Sequence, residues 1–103
     1  MDEIINRYKG QPTKEGHRLQ AVREPGKVMI GFLHWGEYEG SDEHHHIYIA
    51  SIAEENGAYD VGWFRGNENR PFDVSEYANL AELFVALDDA IARRSKEVGP
   101  GGP

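Results

Sequence analysis

The sequence predicts an α+β domain, in which an antiparallel sheet of about four strands carries a C-terminal amphipathic helix on one face. Two observations predict this fold. Four stretches with strand character come first, at residues 18–23, 27–35, 45–53 and 58–65, and a helical pattern over residues 80–97 comes last. Strands grouped before a helix are typical of an antiparallel sheet covered by that helix, because parallel sheets need helices between their strands.

The composition fits one small domain. The chain has 103 residues, no cysteine and a formal net charge of −7. A chain of this length supports about one sheet and one helix, so we assign residues 1–98 to a single domain and residues 99–103 to a disordered tail. Without cysteine, disulfides and Cys-ligated zinc are excluded. No signal peptide or membrane span is recognisable, so we expect a cytoplasmic protein.

Charge is divided unevenly along the chain. Residues 1–36 contain six Lys or Arg and four Asp or Glu, a balance of +2, whereas residues 37–103 contain five and fourteen, a balance of −9. An acidic surface repels phosphate groups, so nucleic-acid binding is disfavoured. A basic protein, or the basic N-terminal part of a second copy, is the electrostatically favoured partner.

The first two strands are predicted to form a hairpin. Pro25-Gly26 lies between them, and this pair favours a β-turn because proline fixes one backbone angle and glycine accepts a positive φ. The second strand alternates Val28, Ile30 and Phe32 with Met29, Gly31 and Leu33. Apolar residues on both faces indicate a strand that is covered on both sides or lies inside the sheet.

The third and fourth strands are predicted to form a second hairpin, around Asn56-Gly57, which favours a type I′ turn. Strict alternation in the third strand places Ile47 and Ile49 on one face and Ala50 and Ile52 on the other. Gly31 and Gly62 lie inside predicted strands. Glycine there indicates a bend or a close approach of another part of the chain.

Two helices are predicted. Residues 2–9 are a candidate short helix, and residues 80–97 are the main helix, with Asn79 as its N-cap and residues 73–78 as a short preceding turn. The apolar stripe of the main helix consists of Tyr77, Leu80, Phe84, Leu87 and Ile91, widened by Leu83 and Ala90. Its 3,4,3,4 spacing is that of one helix face.

Three consecutive histidines, His44, His45 and His46, are the most unusual local feature of the sequence. In a strand, His44 and His46 point to the same face about 6–7 Å apart, so they could share a divalent transition metal. The third ligand would be His34, His17 or a carboxylate of the acidic stretch 37–43. The competing interpretation is that these histidines begin an exposed strand beside that stretch, in which case no cofactor is bound.

Aromatic residues are frequent in the predicted strands. Some of them are expected to form core or cross-strand pairs, and others an interaction surface, where Trp and Tyr act as anchors. Together with the acidic loop, they give a candidate partner-binding set of Trp35, Glu37, Tyr38, Glu39, Tyr48 and Trp63.

These observations favour a non-enzymatic function. No nucleotide-binding loop, nucleophile elbow or catalytic triad context is recognisable. The leading hypothesis is a small acidic accessory protein, comparable in size to many products of mobile-element genes, that forms a homodimer and binds a protein partner through its sheet or its acidic loop. The alternative is a ligand- or metal-binding domain that uses His34, His44 and His46, with any enzymatic activity arising from the metal.

Overall fold

A computed structural model gives the fold, and it describes the backbone of residues 1–38, 41–65 and 70–99, with the side chains of these residues outside 33–46. The elements are α1 (Asp2–Tyr8), β1 (Leu19–Glu24), β2 (Lys27–Tyr38), β3 (Ser41–Glu55), β4 (Ala58–Trp63), β5 (Asp73–Tyr77) and α2 (Leu80–Val98). The predicted α+β fold is therefore confirmed, with five strands in its sheet. Neither α1 nor α2 is long and apolar enough to cross a membrane.

The sheet is an antiparallel meander in which the strand order β1-β2-β3-β4-β5 follows the chain. Both predicted hairpin turns are present, because Glu24 pairs with Lys27 and Glu55 pairs with Ala58. Asn56 and Gly57 both have positive φ, at 54° and 83°. This is the backbone signature of a type I′ turn, which matches the twist of the strands that it joins.

Strand β5 was not predicted, since residues 73–78 read as a turn. The strand pairs with β4 from Tyr59–Tyr77 to Trp63–Asp73. Its residues DVSEY are mostly exposed, and only Val74 and Tyr77 favour strands, so the pairing with β4 is what forms this edge strand. The predicted cap follows it: Asn79 Oδ1 accepts a hydrogen bond of 2.9 Å from the Glu82 amide at the start of α2.

A β-bulge interrupts the pairing of β2 with β3 between Ile30 and Gly31. Strict alternation would place the side chains of Ile47 and Ile49 on one face of the sheet and those of Ala50 and Ile52 on the other. All four side chains are buried. The extra residue of the bulge changes the phase of the strand, so both halves of β3 face the core. The prediction of two faces for these residues was wrong for this reason.

Gly31 lies at the bulge because another side chain does not fit there. A Cβ atom at Gly31 would overlap the carbonyl oxygen of Ile47 in the neighbouring strand. A Cβ at Gly62 would instead meet the side chains of Ser51 and Pro71 at 3.0 and 3.1 Å. The predicted close approach therefore exists at both glycines, but only at Gly31 is it against backbone.

The main helix packs on the sheet through a stripe at a strict i, i+4 spacing. Leu83, Leu87, Ile91 and Ser95 are its buried residues, whereas Leu80 and Phe84 are half-buried. The predicted apolar stripe thus lay to one side of the observed one, on the helix face that carries Leu80 and Phe84. The core beneath the helix is formed by Ile4, Tyr8, Leu19, Ala21, Val28, Ile30, Phe32, Ile47, Ile49, Ala50, Ile52, Tyr59 and Val61.

Helix α1 is fastened to α2 by a polar contact at the edge of the core. The buried Tyr8 donates a hydrogen bond of 2.8 Å to Asp88 Oδ1, and Arg7 donates one of 2.7 Å to Asp88 Oδ2. The Tyr8 ring also packs edge-on against Phe84, with centroids 6.0 Å apart. Burial, followed by the neighbouring Asp88 carboxylate, raises the pKa of Tyr8 well above its ordinary value.

The first prediction concerns the bulge. Gly31→Ala is expected to lower the free energy of unfolding by about 2–3 kcal/mol, because the backbone must shift to admit the methyl group. Gly62→Ala is the matched control and should cost less than about 1 kcal/mol, since side chains can move aside. Urea unfolding at neutral pH measures both values. Equal losses in the two variants would contradict the role assigned to the Ile47 carbonyl.

The second prediction concerns Tyr8. The folded-state pKa is above the unfolded value of about 10, so the stabilisation is complete below pH 10 and is lost as the pH rises through the folded pKa. Tyr8→Phe should cost about 1 kcal/mol at pH 7 through the lost hydrogen bond. Above pH 10 the native chain should lose stability faster than Tyr8→Phe. Urea unfolding from pH 7 to 11 tests this, and parallel pH profiles would contradict it.

Candidate functional site

The β2–β3 hairpin extends beyond the rest of the sheet. Its register continues for six pairs past the flanking strands, from Leu33–His46 to Tyr38–Ser41. The pairing of β1 with β2 stops at Phe32, and that of β4 with β3 stops at Ala50, with one further bond from the Phe64 amide to the Ile49 carbonyl. We call residues 33–38 and 41–46 the projecting ribbon. Within the described residues, neither of its edges is paired with another strand.

Charge changes sign along the projecting ribbon. Acidic residues occupy the positions near its tip, and histidines occupy the positions near the sheet. The acidic positions are Glu37, Asp42 and Glu43, and the histidine positions are His34, His44, His45 and His46. At a pH where histidine is protonated, the ribbon therefore has a negative tip and a positive base.

Most of the predicted partner-binding residues fall on or next to this ribbon. The backbone of Trp35, Glu37 and Tyr38 belongs to β2, and their side chains lie outside the described part of the structure, as does all of Glu39. The other two are elsewhere. Tyr48 pairs with Gly31 in the sheet and its ring contacts Phe64, with centroids 5.8 Å apart, and Trp63 ends β4.

The predicted metal ligands are also ribbon positions. The register pairs His34 with His45, whereas His44 pairs with Trp35 and His46 with Leu33. Because the side chains of these residues lie outside the described part, a metal site at His34, His44 and His46 stays a prediction. Among the side chains that the structure describes, no group of three or more His, Asp or Glu residues could hold a metal ion.

His17, a candidate third ligand, is part of the core instead. It is 2% exposed and its ring stacks on Phe32, with centroids 4.2 Å apart. Its Nε2 lies 2.6 Å from the carbonyl oxygen of Gly99, the C-cap of α2. Beside it, Ser95 donates a hydrogen bond of 2.7 Å to Thr13. The imidazole thus joins the 10–18 loop to the end of α2, and this structural role removes it from the proposed ligands.

A second feature lies at the β5 edge of the sheet, between β4–β5 and α2. It is a groove of about 550 Å³. Trp63, Phe72 and Tyr77 line it from the sheet side, and Ala86, Ala90 and Arg94 line it from the helix side. We call it the aromatic groove. The groove stays open where α2 places the small side chains of Ala86 and Ala90 over the last two strands.

The aromatic wall of this groove is held by specific contacts. Trp63 and Tyr77 meet edge to face, with centroids 6.4 Å apart and planes at 89°. The Trp63 indole Nε1 donates a hydrogen bond of 3.0 Å to Ser75 Oγ. Trp63 is half-buried and packs against the core. Trp63, which the sequence predicts to bind a partner, thus forms part of the wall of this groove.

Both signs of charge line the aromatic groove. Arg93 pairs with Asp89 at 3.0 Å and Arg94 with Glu97 at 3.3 Å. Arg65 lies over the ring of the half-exposed Phe72, 4.3 Å from its centroid. No carboxylate of the described residues lies within ion-pair distance of Arg65. The groove therefore combines exposed aromatic surface with one cation that is not neutralised there.

Comparison of the chain with protein-family models, with curated proteins and with solved structures finds no match.

The third prediction tests the histidine site. If His44 and His46 bind metal along β3, Zn²⁺ or Ni²⁺ should raise the thermal unfolding midpoint of the native chain, because a ligand stabilises the state that binds it. His45→Ala should keep this rise and His44→Ala/His46→Ala should lose it. The rise should also disappear with a chelator. Identical midpoints with and without metal would contradict the site, and loss in His45→Ala would indicate a site that uses His34–His45.

Proposed function

We propose that this protein is a self-associating protein-interaction module whose docking element is the projecting ribbon. The observation that carries the proposal is the extension of β2 and β3 by six register pairs beyond β1 and β4. A two-stranded ribbon of about 20 Å is marginally stable in water, because each strand has one row of unpaired backbone groups. Adding a strand from another chain satisfies one row and stabilises the ribbon.

A second copy of this chain suits that edge through its charge order. When two ribbons pair antiparallel, the acidic tip of one lies beside the histidine base of the other. On β3, for example, a two-fold axis between Glu43 and His44 sets Glu43 opposite His44 of the second copy and Asp42 opposite its His45. Directly opposed residues of unlike charge stabilise a strand pair, whereas like charges destabilise it.

This charge order also sets the pH dependence. Histidine ordinarily titrates near pH 6.5, so at pH 8 the ribbon bears only its acidic charge and two copies repel. At pH 6 the charged groups that meet across this β3 edge are Asp42 and Glu43 of one copy and His44 and His45 of the other. Association is therefore stronger at pH 6 than at pH 8.

The fourth prediction concerns self-association, which light scattering and sedimentation measure at pH 6 and pH 8. The monomer mass is 11.6 kDa, so a dimer doubles it. Four opposed His–carboxylate pairs at about 0.3–0.5 kcal/mol each make the dissociation constant about tenfold lower at pH 6. Asp42→Asn/Glu43→Gln should remove this difference and weaken the pH 6 dimer by a similar factor.

The matched control is Glu55→Gln/Glu76→Gln, which removes two exposed carboxylates from elsewhere on the sheet. It changes the net charge by the same amount, so general repulsion between copies falls equally in both variants. The control should associate at least as well as the native chain. A monomer at both pH values, or a dimer that is insensitive to pH and to Asp42→Asn/Glu43→Gln, would overturn the ribbon as the docking element.

A further inference from the structure

From the geometry of the aromatic groove, we infer a binding site for a small planar aromatic ring that carries an anionic group. This site is separate from the projecting ribbon and does not depend on self-association. The groove volume of about 550 Å³ lies within the range of small-molecule pockets. The ligand class follows from the chemistry of the walls.

The ring of the ligand is recognised by the aromatic wall. Trp63 is fixed by its hydrogen bond to Ser75 and by its contact with Tyr77, so its orientation is set before a ligand arrives. A fixed wall binds more tightly than a mobile one, because less side-chain freedom is lost on binding. Phe72 is 50% exposed beside it, so apolar surface remains available for a flat ring.

The anionic group of the ligand is recognised by arginine. Arg93 and Arg94 already have carboxylate partners, at Asp89 and Glu97. Arg65 has none among the described residues and is supported by the Phe72 ring, 4.3 Å below its guanidinium. A planar guanidinium held over a ring presents its free edge, which pairs with a carboxylate or phosphate through two hydrogen bonds.

A further donor lies in the inner part of this groove, whose lining holds three arginines and the three carboxylates of Asp73, Asp89 and Glu97. The Nε of Arg94 is buried and has no hydrogen-bond acceptor among the described residues. The Arg94 side chain is only 17% exposed, so its charge is held near the groove floor. Of the three carboxylates, Asp89 and Glu97 pair with Arg93 and Arg94, and Asp73 accepts a hydrogen bond from the Val74 amide. The donors left for an anionic group are therefore the Arg65 guanidinium and the Nε of Arg94.

Four probes separate the two parts of this recognition. 2-Naphthoate carries a ring and a carboxylate, adenosine 5′-monophosphate a ring and a phosphate, 2-naphthalenemethanol a ring without charge, and inorganic phosphate a charge without a ring. Binding is followed in ¹H–¹⁵N spectra through the Trp63 indole N–H, which Trp35→Phe assigns because the chain has two tryptophans. At least one ring-bearing anion should shift this signal, with a dissociation constant on the order of 0.1–1 mM.

Two variants and a control locate the site. Arg65→Gln should weaken that anion about tenfold and leave 2-naphthalenemethanol unchanged, because only the charged contact is lost. Ala90→Leu, which fills the groove, should abolish the Trp63 shift with either ring. Arg23→Gln carries the same charge change at the far edge of the sheet and should bind like the native chain. Since Arg65 is exposed, its variant keeps the fold even where Ala90→Leu does not.

The outcomes decide the inference. A ring-bearing anion that shifts Trp63 and is weakened by Arg65→Gln alone supports it, and a preference between naphthoate and adenosine monophosphate then identifies carboxylate or phosphate as the natural group. No shift with any ring, equal binding of the uncharged ring, or equal loss in Arg65→Gln and Arg23→Gln would overturn it.

Discussion

Strands β2 and β3 pair over eleven register positions, from Val28–Ile52 to Tyr38–Ser41, and this pairing supports every other part of the molecule. Its lower half carries the residues on which β1, β4 and both helices are assembled. Its upper half is the projecting ribbon. The bulge at Gly31 lies in the lower half, two register pairs below the ribbon, where the Ile47 carbonyl leaves no room for a side chain. The close contact of these two backbones thus sets which face of β3 is buried just below the ribbon.

The aromatic groove exists because the sheet is wider than the helix that packs on it. Five strands spaced by about 4.8 Å span roughly 19 Å between the outer strand axes, whereas one helix is about 10–12 Å across. Helix α1 and the His17 loop cover the β1–β2 side, and the buried stripe of α2 covers the centre of the sheet. Trp63 and Tyr77 fill part of what remains. Because Ala86 and Ala90 are small, the rest stays open as a groove.

Local patterns were sufficient to predict the elements with strong periodicity or strong turn residues. Asn56-Gly57, Pro25-Gly26 and the Asn79 cap behave as their chemistry requires, since each acts within a few residues. Strand β5 depends on pairing with β4, and no local signal marks it, whereas Gly31 indicated a close approach but not the extra residue of the bulge. The position of His17 beside Gly99 depends on residues 82 positions apart. Such contacts are properties of the assembled sheet.

The two candidate sites also differ in whether the sequence alone could indicate them. The residues of the ribbon could be singled out from the sequence, because its histidines and acids are adjacent in the chain. The aromatic groove could not, since Arg65, Phe72 and Ala90 come from three separate segments and meet only after β5 pairs with β4. The one available signal was Trp63, a large aromatic residue beside Gly62 at the end of its strand.

The ribbon and the groove differ in how many contacts from the rest of the fold support them. The groove wall is held by contacts within the folded core, so a ligand there meets a surface that is already ordered. The ribbon is supported by a single strand pair and by no other described strand. A partner strand would satisfy one row of its unpaired backbone groups and so stabilise the ribbon as it binds. The association that we propose through the ribbon is therefore expected to be sensitive to charge, because its acidic positions lie near the tip and its histidine positions near the sheet.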